Sequence, residues 1–401
     1  MSYEKPFAGL KVVDLSQGVA GPYAAAMLAQ YGADVIKVEP TGRDGDWSRG
    51  LGTRYGDQTA YSIVANLGKR SIALDLKQPD GCAVLWRLVR GADVFVQGFR
   101  PGVIDRLGFG YRDVAEREPC IIYLSVSGFG QTGPLAERPA MDPVLQAYTG
   151  LALENKGFDG LPHRIPIIAI DMSTALYGYG AVSTALFARR TLDRGRHIEA
   201  SLLQAAAGLQ AIRMMSSYLE GGATQPASPP SGIYETRDGW INITVVREHE
   251  WQAFCAAFGL GQLAADPRFA SREARRANEG ALLDMVRPML AAQTAATCSA
   301  NLAAHRVMHE QLNSYTGFLG QPQVAASGAV AWLEHPGVPQ SLPMPNLIGA
   351  PALASGEPAA TAPGLGEHSE AILREHGFEA REITRLKAAG VVQQGQRVVP
   401  G

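Results

Sequence analysis

Short apolar runs alternate with segments of helical periodicity along the first third of the chain. The apolar runs predict strands at residues 10–16, 34–40, 93–99 and 120–130, and the periodic segments predict helices at residues 21–33 and 81–92. Strands that alternate with helices are typical of a parallel sheet with helices on its faces. The pattern therefore predicts an α/β fold for this part of the chain.

Beyond residue 172 the pattern changes. It is helical to about residue 220, broken only by "LDRGRH", and then Gly, Pro and Ser concentrate at 221–232, as in a linker. The run "WINITVV" predicts a strand and "REHEWQAFCAAFGL" an amphipathic helix, which open a second, smaller domain. Residues 335–366 are rich in proline and precede a last helical segment. The predicted divisions are 1–220, 221–330 and 331–401.

Composition and charge narrow the class of protein. The 401 residues are 46% hydrophobic and 18% charged, with 36 basic and 38 acidic residues and a net charge of −2, so nucleic acid is not an expected partner. Every apolar run is well short of the ~20 residues that span a bilayer, and the N-terminus lacks a signal layout, which predicts a cytoplasmic protein with no membrane partner. Four scattered cysteines predict free thiols: Cys82, Cys120, Cys255 and Cys298.

One motif suggests a dinucleotide site at first sight. The segment "GFGQTG" at 128–133 matches G-x-G-x-x-G after a predicted strand. A dinucleotide fingerprint needs a helix directly behind the glycines, so that its N-terminus can bind a pyrophosphate. Here Pro134, Pro139 and Pro143 follow, at spacings that a helix interior does not tolerate. We therefore do not predict a nicotinamide or flavin enzyme.

Five ordered segments together resemble the class III coenzyme A transferases, the family of the formyl-CoA and carnitine-CoA transferases. They are "LKVVDLSQGVAGPYAAAMLAQYGADVIKVEP", "NLGKRSIALDLKQPDG", "GFRPGVIDRLGFGY", "SGFGQTGP" and "DRGRHIEASLL". The resemblance covers about residues 7–255, with a weaker part near the C-terminus. It implies a large domain with a Rossmann-like doubly wound parallel sheet built from both ends of the chain. It also implies a smaller α+β domain between them and an interlocked homodimer.

The resemblance further implies that an aspartate attacks the thioester of an acyl-CoA, which gives an aspartyl mixed anhydride and free CoA thiolate. The matching residue in this sequence is Asp171. It precedes a helical segment, where unpaired backbone N–H groups and the helix dipole favour the ionised carboxylate that can attack. The alternative is that Asp171 only caps this helix, which would contribute about 1 kcal/mol.

The family's contacts to coenzyme A carry over by motif position. Coenzyme A needs Arg or Lys for its phosphates and small residues along its neutral arm. One phosphate contact of the family falls at Pro40, which cannot supply it, and Arg43 or Arg49 are possible substitutes. For each basic residue the alternative is a solvated surface charge. The matching residues are Val19, Ala20, Asn66, Lys69, Phe99, Arg100 and Arg106.

Two neighbouring residues bear on the type of reaction. Asp142 matches an acidic residue that the family places beside the nucleophile, and its alternative is a turn residue before Pro143. Met141 lies where racemases of this fold carry a histidine, and methionine cannot exchange a proton. An α-methylacyl-CoA racemase using a displaced histidine such as His163 is therefore an alternative, as is a non-catalytic acyl-CoA-binding protein.

The small domain departs most from the family. A glycine-rich loop over the active site is replaced by "SPPSGIY", which predicts a stiffer loop around Gly232. His305 and His309 could face one side of a helix as metal ligands, but no third ligand is evident and no metal is predicted. Three residues are candidates for reading a second carboxylate of the acid substrate: Arg164, Arg247 and His249.

These features predict an enzyme that moves CoA from an acyl-CoA to a carboxylic acid, with a dicarboxylic acid as one candidate acceptor. The expected ligands are acyl-CoA and the acid as substrates, with no tightly bound cofactor. Asp171 is the predicted nucleophile and Asp142 its acidic neighbour.

Overall fold

The computed structural model describes residues 5–157, 159–222 and 228–396. The chain divides into two compact units. The first extends to Met214 and resumes at Ala326, and the second is Met215–Ala325. Both ends of the chain therefore contribute to the first unit.

Seven strands of the described residues form the central sheet of the first unit, in the order β12-β3-β2-β1-β4-β5-β6. All neighbouring pairs are parallel except β12 with β3. This order confirms the predicted doubly wound α/β sheet, because strands are added outward from β1 in both directions. The strands are β1 Lys11–Asp14, β2 Asp34–Glu39, β3 Arg70–Leu74, β4 Val94–Gln97, β5 Ile122–Ser127, β6 Arg196–Ser201 and β12 Val392–Gln393.

The helices of the first unit cover both faces of this sheet. Val12 and Leu124 face a cluster with α1 and α8, whereas Val13 and Tyr123 face a cluster with α3, α18 and α19. The alternation follows from the two-residue period of a strand. The helices are α1 Ala20–Gln30, α2 Ala60–Asn66, α3 Pro79–Val89, α4 Val103–Arg106, α5 Tyr111–Arg117, α6 Asp142–Tyr148, α7 Leu151–Glu154, α8 Ala169–Leu192, α9 Leu202–Leu209, α18 Ser369–Glu375 and α19 Ala380–Ala388. One further helix, α10 Ala211–Leu219, contains the division between the two units at Met214.

The four strands predicted in the first third of the chain are confirmed as β1, β2, β4 and β5. The prediction that residues 172–220 are helical apart from the break "LDRGRH" at 192–197 is wrong at residues 198–201. The strand β6 begins inside that break, at Arg196, and continues to Ser201, and it pairs with β5 along its whole length. The strand lies at the sheet edge and is partly exposed, so its residues lack the apolar run by which the inner strands are found.

The second unit contains a three-stranded antiparallel sheet and several helices. The predicted strand and helix after residue 239 are confirmed as β8 and α11, and the apolar core includes Trp251, Phe254 and Leu282. Its elements are β7 Gly232–Thr236, β8 Gly239–Thr244, β9 Met308–Gln311, α11 Glu248–Ala257, α12 Gly261–Ala265, α13 Arg272–Ala277, α14 Glu279–Ala291, α15 Ala295–Ala304, α16 Tyr315–Leu319 and most of α17 Pro322–Ser327. The first unit also contains an antiparallel pair of strands, β10 Val330–Leu333 and β11 Leu342–Pro345.

The long helices give no indication of a membrane span. None of the helices formed by the described residues combines the length and the apolar character needed to cross a bilayer.

Candidate active site

A cavity of about 370 Å³ opens at the carboxyl ends of β1, β4 and β5 in the first unit. Loops at this edge of a parallel sheet are where ligands of doubly wound folds bind. The lining combines small apolar residues of the β1–α1 loop with polar and charged groups from the loops after the other strands. Among the lining residues are Gln17, Val19, Ala20, Trp47, Phe99, Arg100, Ser127, Gly128, Met141 and Asp171.

Asp171 is the acidic side chain in this lining. It occupies the third position of α8, so it lies inside the first turn and is not the N-cap, which is Ile168. Burial, and after it the negative charge of Asp142, raise the pKa of Asp171 to about 7. The start of α8 favours the ionised carboxylate, but desolvation and the Asp142 charge act in the opposite direction and favour the protonated acid.

Asp142 connects two helices. It is the first residue of α6 and is 1% exposed. Its Oδ2 accepts hydrogen bonds from the backbone N–H groups of Ile170 at 2.7 Å and Asp171 at 3.1 Å, while its Oδ1 accepts from Gln146 Nε2 at 2.6 Å. Asp142 therefore caps α8 from another element, and it fixes the backbone of Asp171 while its charge acts on the Asp171 carboxyl.

Four of the seven residues predicted to contact coenzyme A line the cavity. Val19 is the N-cap of α1 and Ala20 its first residue, whereas Phe99 and Arg100 follow β4. The Arg100 side chain is exposed and has no ion pair within the described residues. These four residues therefore present an apolar wall and one positive charge to the cavity that contains Asp171.

The other three predicted contacts lie elsewhere. Lys69 is buried, and its Nζ donates to Asp14 Oδ2 at 2.7 Å, to the carbonyl oxygen of Pro22 at 2.7 Å and to Asn66 Oδ1 at 2.9 Å. Burial lowers the pKa of Lys69 to about 8. In this arrangement Lys69 and Asn66 tie α1 to β1 and do not reach the cavity lining, and Arg106 is exposed in α4 outside it.

Buried ion pairs continue beneath the same loops. Lys37 Nζ contacts Asp46 Oδ2 at 2.8 Å, and both side chains are fully buried. Arg49 makes a bidentate pair with Glu39, with both N–O distances at 2.7 Å. Arg49 is therefore buried in an ion pair and does not replace the phosphate contact missing at Pro40. Arg43 is exposed.

The Lys37–Asp46 pair shapes the cavity wall. Asp46 Oδ1 accepts from the backbone N–H of Gly18 at 3.0 Å, and Lys37 Nζ donates to the carbonyl oxygen of Ser16. Gly18 has a φ of +82°, and a Cβ there would lie 2.2 Å from Trp47 Cζ2. Only glycine therefore lets Trp47 close over this turn.

Several lining residues were missed by the sequence reasoning: Gln17, Trp47, Ser127 and Gly128. Ser127 ends β5 and Gln17 follows β1, and ligands of doubly wound folds bind at the carboxyl ends of the strands. This position relative to the predicted strands is the feature of the sequence that indicates both residues. Gly128 begins the "GFGQTG" segment, and a Cβ on it would lie 2.2 Å from that of Ala140. No helix follows this segment until Asp142, which confirms that it is not a dinucleotide fingerprint.

An adjoining cavity of about 330 Å³ shares part of this lining, including Phe99, Arg100 and Met141. Arg138 also lines it. Its guanidinium lies 5.5 Å from the ring centre of Phe129 and has no ion pair within the described residues. A second unpaired positive charge therefore lies beside the Asp171 cavity.

The histidines and the remaining arginines are not in these linings. His163 is exposed and contacts Asp159 at 3.1 Å, so it does not replace the proton-exchanging group absent at Met141. His305 is the C-cap of α15 and His309 lies in β9, so the two histidines do not share the helix face that their spacing would allow. Within the described residues no cluster of His, Cys, Asp or Glu is arranged for a metal ion. Three residues are exposed outside the linings: Arg164, Arg247 and His249.

Comparisons with known proteins agree with this architecture. A family model described as CoA-transferase family III matches residues 7–369. The chain is 37% identical over 298 residues to an acetyl-CoA:oxalate CoA-transferase of Acetobacter aceti, covering 73% of this chain and 76% of the relative. It is 31% identical to a human succinyl-CoA:glutarate CoA-transferase, covering 98% of this chain and 91% of the relative.

A solved structure is also similar. The crystal structure of a CAIB/BAIF family protein from Brucella suis has a TM-score of 0.80 and 31% sequence identity, and the match covers 92% of this chain and 99% of that one.

Proposed function

The chain belongs to CoA-transferase family III, and from this membership we propose that it transfers CoA from an acyl-CoA to a carboxylic acid through an anhydride on Asp171. The observation that carries the proposal is the position of Asp171. It is the carboxyl in a cavity at the ligand-binding edge of the sheet, with its backbone fixed by Asp142. A carboxylate fixed in this way can act as a nucleophile without a cofactor.

In the proposed reaction, the acyl groups and CoA are only exchanged between partners, and the enzyme returns to its starting state. The Asp171 carboxylate attacks the thioester carbonyl, the C–S bond breaks, and CoA leaves as the thiolate. The thiolate then attacks the aspartyl carbonyl, which releases the donor acid and forms an aspartyl thioester. The acceptor carboxylate attacks that thioester, which releases CoA thiolate and forms a second mixed anhydride on Asp171. The thiolate then attacks the acceptor's acyl carbonyl, which gives the product acyl-CoA and restores the Asp171 carboxylate. Each step exchanges one acyl bond for another, so no external oxidant or hydrolysis is needed.

A dicarboxylic acid is the acceptor that we propose. The named relatives act on oxalate and glutarate, which both carry two carboxylates. When one carboxylate reacts at Asp171, the other needs a positive partner, and Arg138 lies unpaired in the adjoining cavity. Arg100 remains assigned to coenzyme A. An arginine is suited to this role because its planar N–H groups match the two oxygens of a carboxylate.

The test of the nucleophile uses the matched pair Asp171→Asn and Asp113→Asn. Both aspartates occupy the third position of a helix in the first unit, but Asp113 is exposed in α5. We expect the first change to abolish transfer between succinyl-CoA and a panel of acids, and the second to leave it unchanged. Transfer by Asp171→Asn at the parent rate would contradict the proposal. Solvent deuterium entering the α-carbon without an acceptor would indicate the racemase.

The test of the acceptor class is Arg138→Gln. Loss of a charge-assisted contact should raise KM for glutarate roughly tenfold or more while leaving KM for a monocarboxylic acid nearly unchanged. Arg112→Gln is the control, because Arg112 is an exposed arginine of the same unit outside both cavities. Equal changes for both classes of acid would show that Arg138 does not read the second carboxylate.

The interlocked homodimer that the resemblance implies stays a prediction. It is supported by exposed apolar side chains on α8 and α9, where Leu176 is 57%, Phe187 74% and Leu209 50% exposed. Exposed apolar side chains of this size mark surfaces that bind another protein.

A further inference from the structure

A chain of hydrogen bonds crosses three strands of the first unit and ends at a loop that lines the active-site cavity. Its members are Gln97 at the end of β4, Ser125 in β5 and His197 in β6. Gln97 and Ser125 are directly paired in the parallel register. His197 is paired with Tyr123, two residues before Ser125. Because side chains alternate along a strand, these polar groups extend from the sheet face that Tyr123 shares with an apolar cluster.

The inner end of the chain is the backbone of Phe99. Gln97 Oε1 accepts a hydrogen bond from the Phe99 N–H at 2.8 Å, and Gln97 Nε2 donates to Ser125 Oγ at 2.9 Å. Gln97 is 1% exposed and Ser125 is 2% exposed. A buried amide that loses a partner is destabilised, so the Gln97 side chain is fixed in the one orientation that uses both of its ends.

The outer end of the chain is His197, whose Nε2 lies 2.9 Å from Ser125 Oγ. Two aromatic rings hold the imidazole, which stacks on Tyr111 with ring centres 4.7 Å apart and meets Tyr123 edge to face at 5.3 Å. Glu199 Oε1 lies 3.7 Å from His197 Nδ1. A carboxylate on that side favours the tautomer that carries its proton on Nδ1, which leaves Nε2 to accept from the Ser125 hydroxyl.

The ionisation of His197 agrees with this direction of donation. Burial lowers the pKa of His197, whereas the charges of Glu199 and Asp105 act in the opposite direction with smaller effect. The ring is therefore neutral near pH 7 and can accept a hydrogen bond. Donation runs in one direction, from the loop backbone through Gln97 and Ser125 to the imidazole, and each donor in the chain has an acceptor.

The loop after β4 connects this chain to the substrate cavity. Phe99 and Arg100 line the cavity together with Asp171, and Arg100 also lines the adjoining cavity. Neither Phe99 nor Arg100 lies in a helix or a strand. The path of their backbone therefore depends on contacts from side chains, and the hydrogen bond from the Phe99 N–H to Gln97 is such a contact.

We propose that this chain of three side chains positions the loop that binds coenzyme A. By holding the Phe99 N–H, it sets the direction in which the Arg100 side chain extends towards a phosphate of coenzyme A. The inference rests on the proposed function, because that function makes Phe99 and Arg100 contacts to coenzyme A. Gln97, Ser125 and His197 do not line either cavity, so they act on the binding of acyl-CoA and not on the transfer step.

The first test is Gln97→Met, because methionine fills a similar space but forms neither hydrogen bond. We expect KM for the acyl-CoA to rise about fivefold or more, with kcat and KM for the acceptor acid nearly unchanged. Gln97→Glu should stay within about twofold of the parent KM, because its carboxylate still accepts from the Phe99 N–H. Gln30→Met is the matched control and should behave as the parent does, because Gln30 is a buried glutamine of α1 outside both cavities.

The second test is whether the members of the chain act together. His197→Phe keeps an aromatic ring between Tyr111 and Tyr123 but removes the acceptor of the Ser125 hydroxyl. It should raise KM for the acyl-CoA in the same direction as Gln97→Met. Combined with Gln97→Met it should add nothing, because the chain is already broken. Additive effects of the two changes would contradict a connected chain.

Isothermal titration calorimetry with free CoA separates this inference from the proposed function. Asp171→Asn should lose transfer but bind CoA as the parent does, whereas Gln97→Met should transfer and bind CoA more weakly, by the factor seen in KM. Parent affinity for CoA in Gln97→Met would contradict the positioning role and leave the Asp171 proposal intact. A fall in kcat with unchanged KM would show that Gln97 only stabilises the fold. A parent protein that does not bind CoA would contradict both proposals.

Discussion

At the scale of single residues, Asp171 combines two opposing influences. Its place in the first turn of α8 favours the carboxylate, but burial and the neighbouring Asp142 favour the protonated acid and raise its pKa to about 7. A nucleophile in this condition is half ionised near neutral pH. It is also less solvated than a surface carboxylate. Partial protonation lowers the fraction of Asp171 that can attack, whereas the loss of solvation makes the ionised fraction more reactive.

The raised pKa of Asp171 predicts the pH dependence of the reaction. The carboxylate is the attacking form, so kcat/KM for the acyl-CoA should rise with pH through a midpoint near 7. Asp142→Asn removes the second cause of the shift, so it should move this midpoint to lower pH. The measurement is the pH–rate profile of both proteins. A rate that falls as pH rises through neutrality would contradict the assignment of Asp171 as the attacking group.

The sequence could indicate some of these residues but not their environment. Motif position indicates Asp171 and Asp142, and the structure shows that Asp142 accepts a hydrogen bond from the Asp171 backbone N–H. Motif position also indicates Lys69 as a contact to coenzyme A, yet its Nζ donates to the buried carboxylate of Asp14. A lysine beside a strand can point to solvent or into a buried ion pair, and the pattern along the chain does not distinguish the two.

At the scale of elements, the β1–α1 loop depends on two charges outside it, one on β2 and one in the loop that follows β2. Lys37 of β2 contacts both the Ser16 carbonyl and Asp46, and Asp46 accepts from the Gly18 N–H. The cavity wall is therefore fixed by a buried ion pair rather than by apolar packing alone. Removing one member would leave the other charge buried without a partner.

Lys37→Met tests this dependence. It should lower the free energy of unfolding by about 3–5 kcal/mol, because the Asp46 carboxylate loses its cation inside the protein. Urea denaturation measures the loss, and Lys77→Met is the control because Lys77 is exposed. A loss below about 1 kcal/mol, the range of exposed ion pairs, would show that the pair does not stabilise the fold.

The strands differ in how well the sequence predicts them. β4 and β5 are buried along their whole length and read as continuous apolar runs. β6 carries Arg196, His197 and Glu199 at the partly exposed edge of the sheet, so its periodicity resembles a break between helices. Its strand conformation comes from pairing with β5, which is a tertiary contact that no local pattern contains.

At the scale of the whole molecule, the return of the chain to the first unit could be predicted only from the family resemblance. The segment after Ala326 adds β12 antiparallel to β3 and places α18 and α19 on the face of the sheet that includes Tyr123. Composition marked this region only as proline-rich.

The central claim, an acyl anhydride on Asp171, is tested most directly by trapping the intermediate. The protein is incubated with acetyl-CoA, succinyl-CoA and oxalyl-CoA in turn, quenched with hydroxylamine, and digested for peptide mapping by mass spectrometry. Hydroxylamine converts an aspartyl anhydride or thioester into a hydroxamate. We predict a hydroxamate on Asp171 with the true donor, and none without acyl-CoA. Transfer that proceeds with a donor while Asp171 stays unmodified would contradict the account.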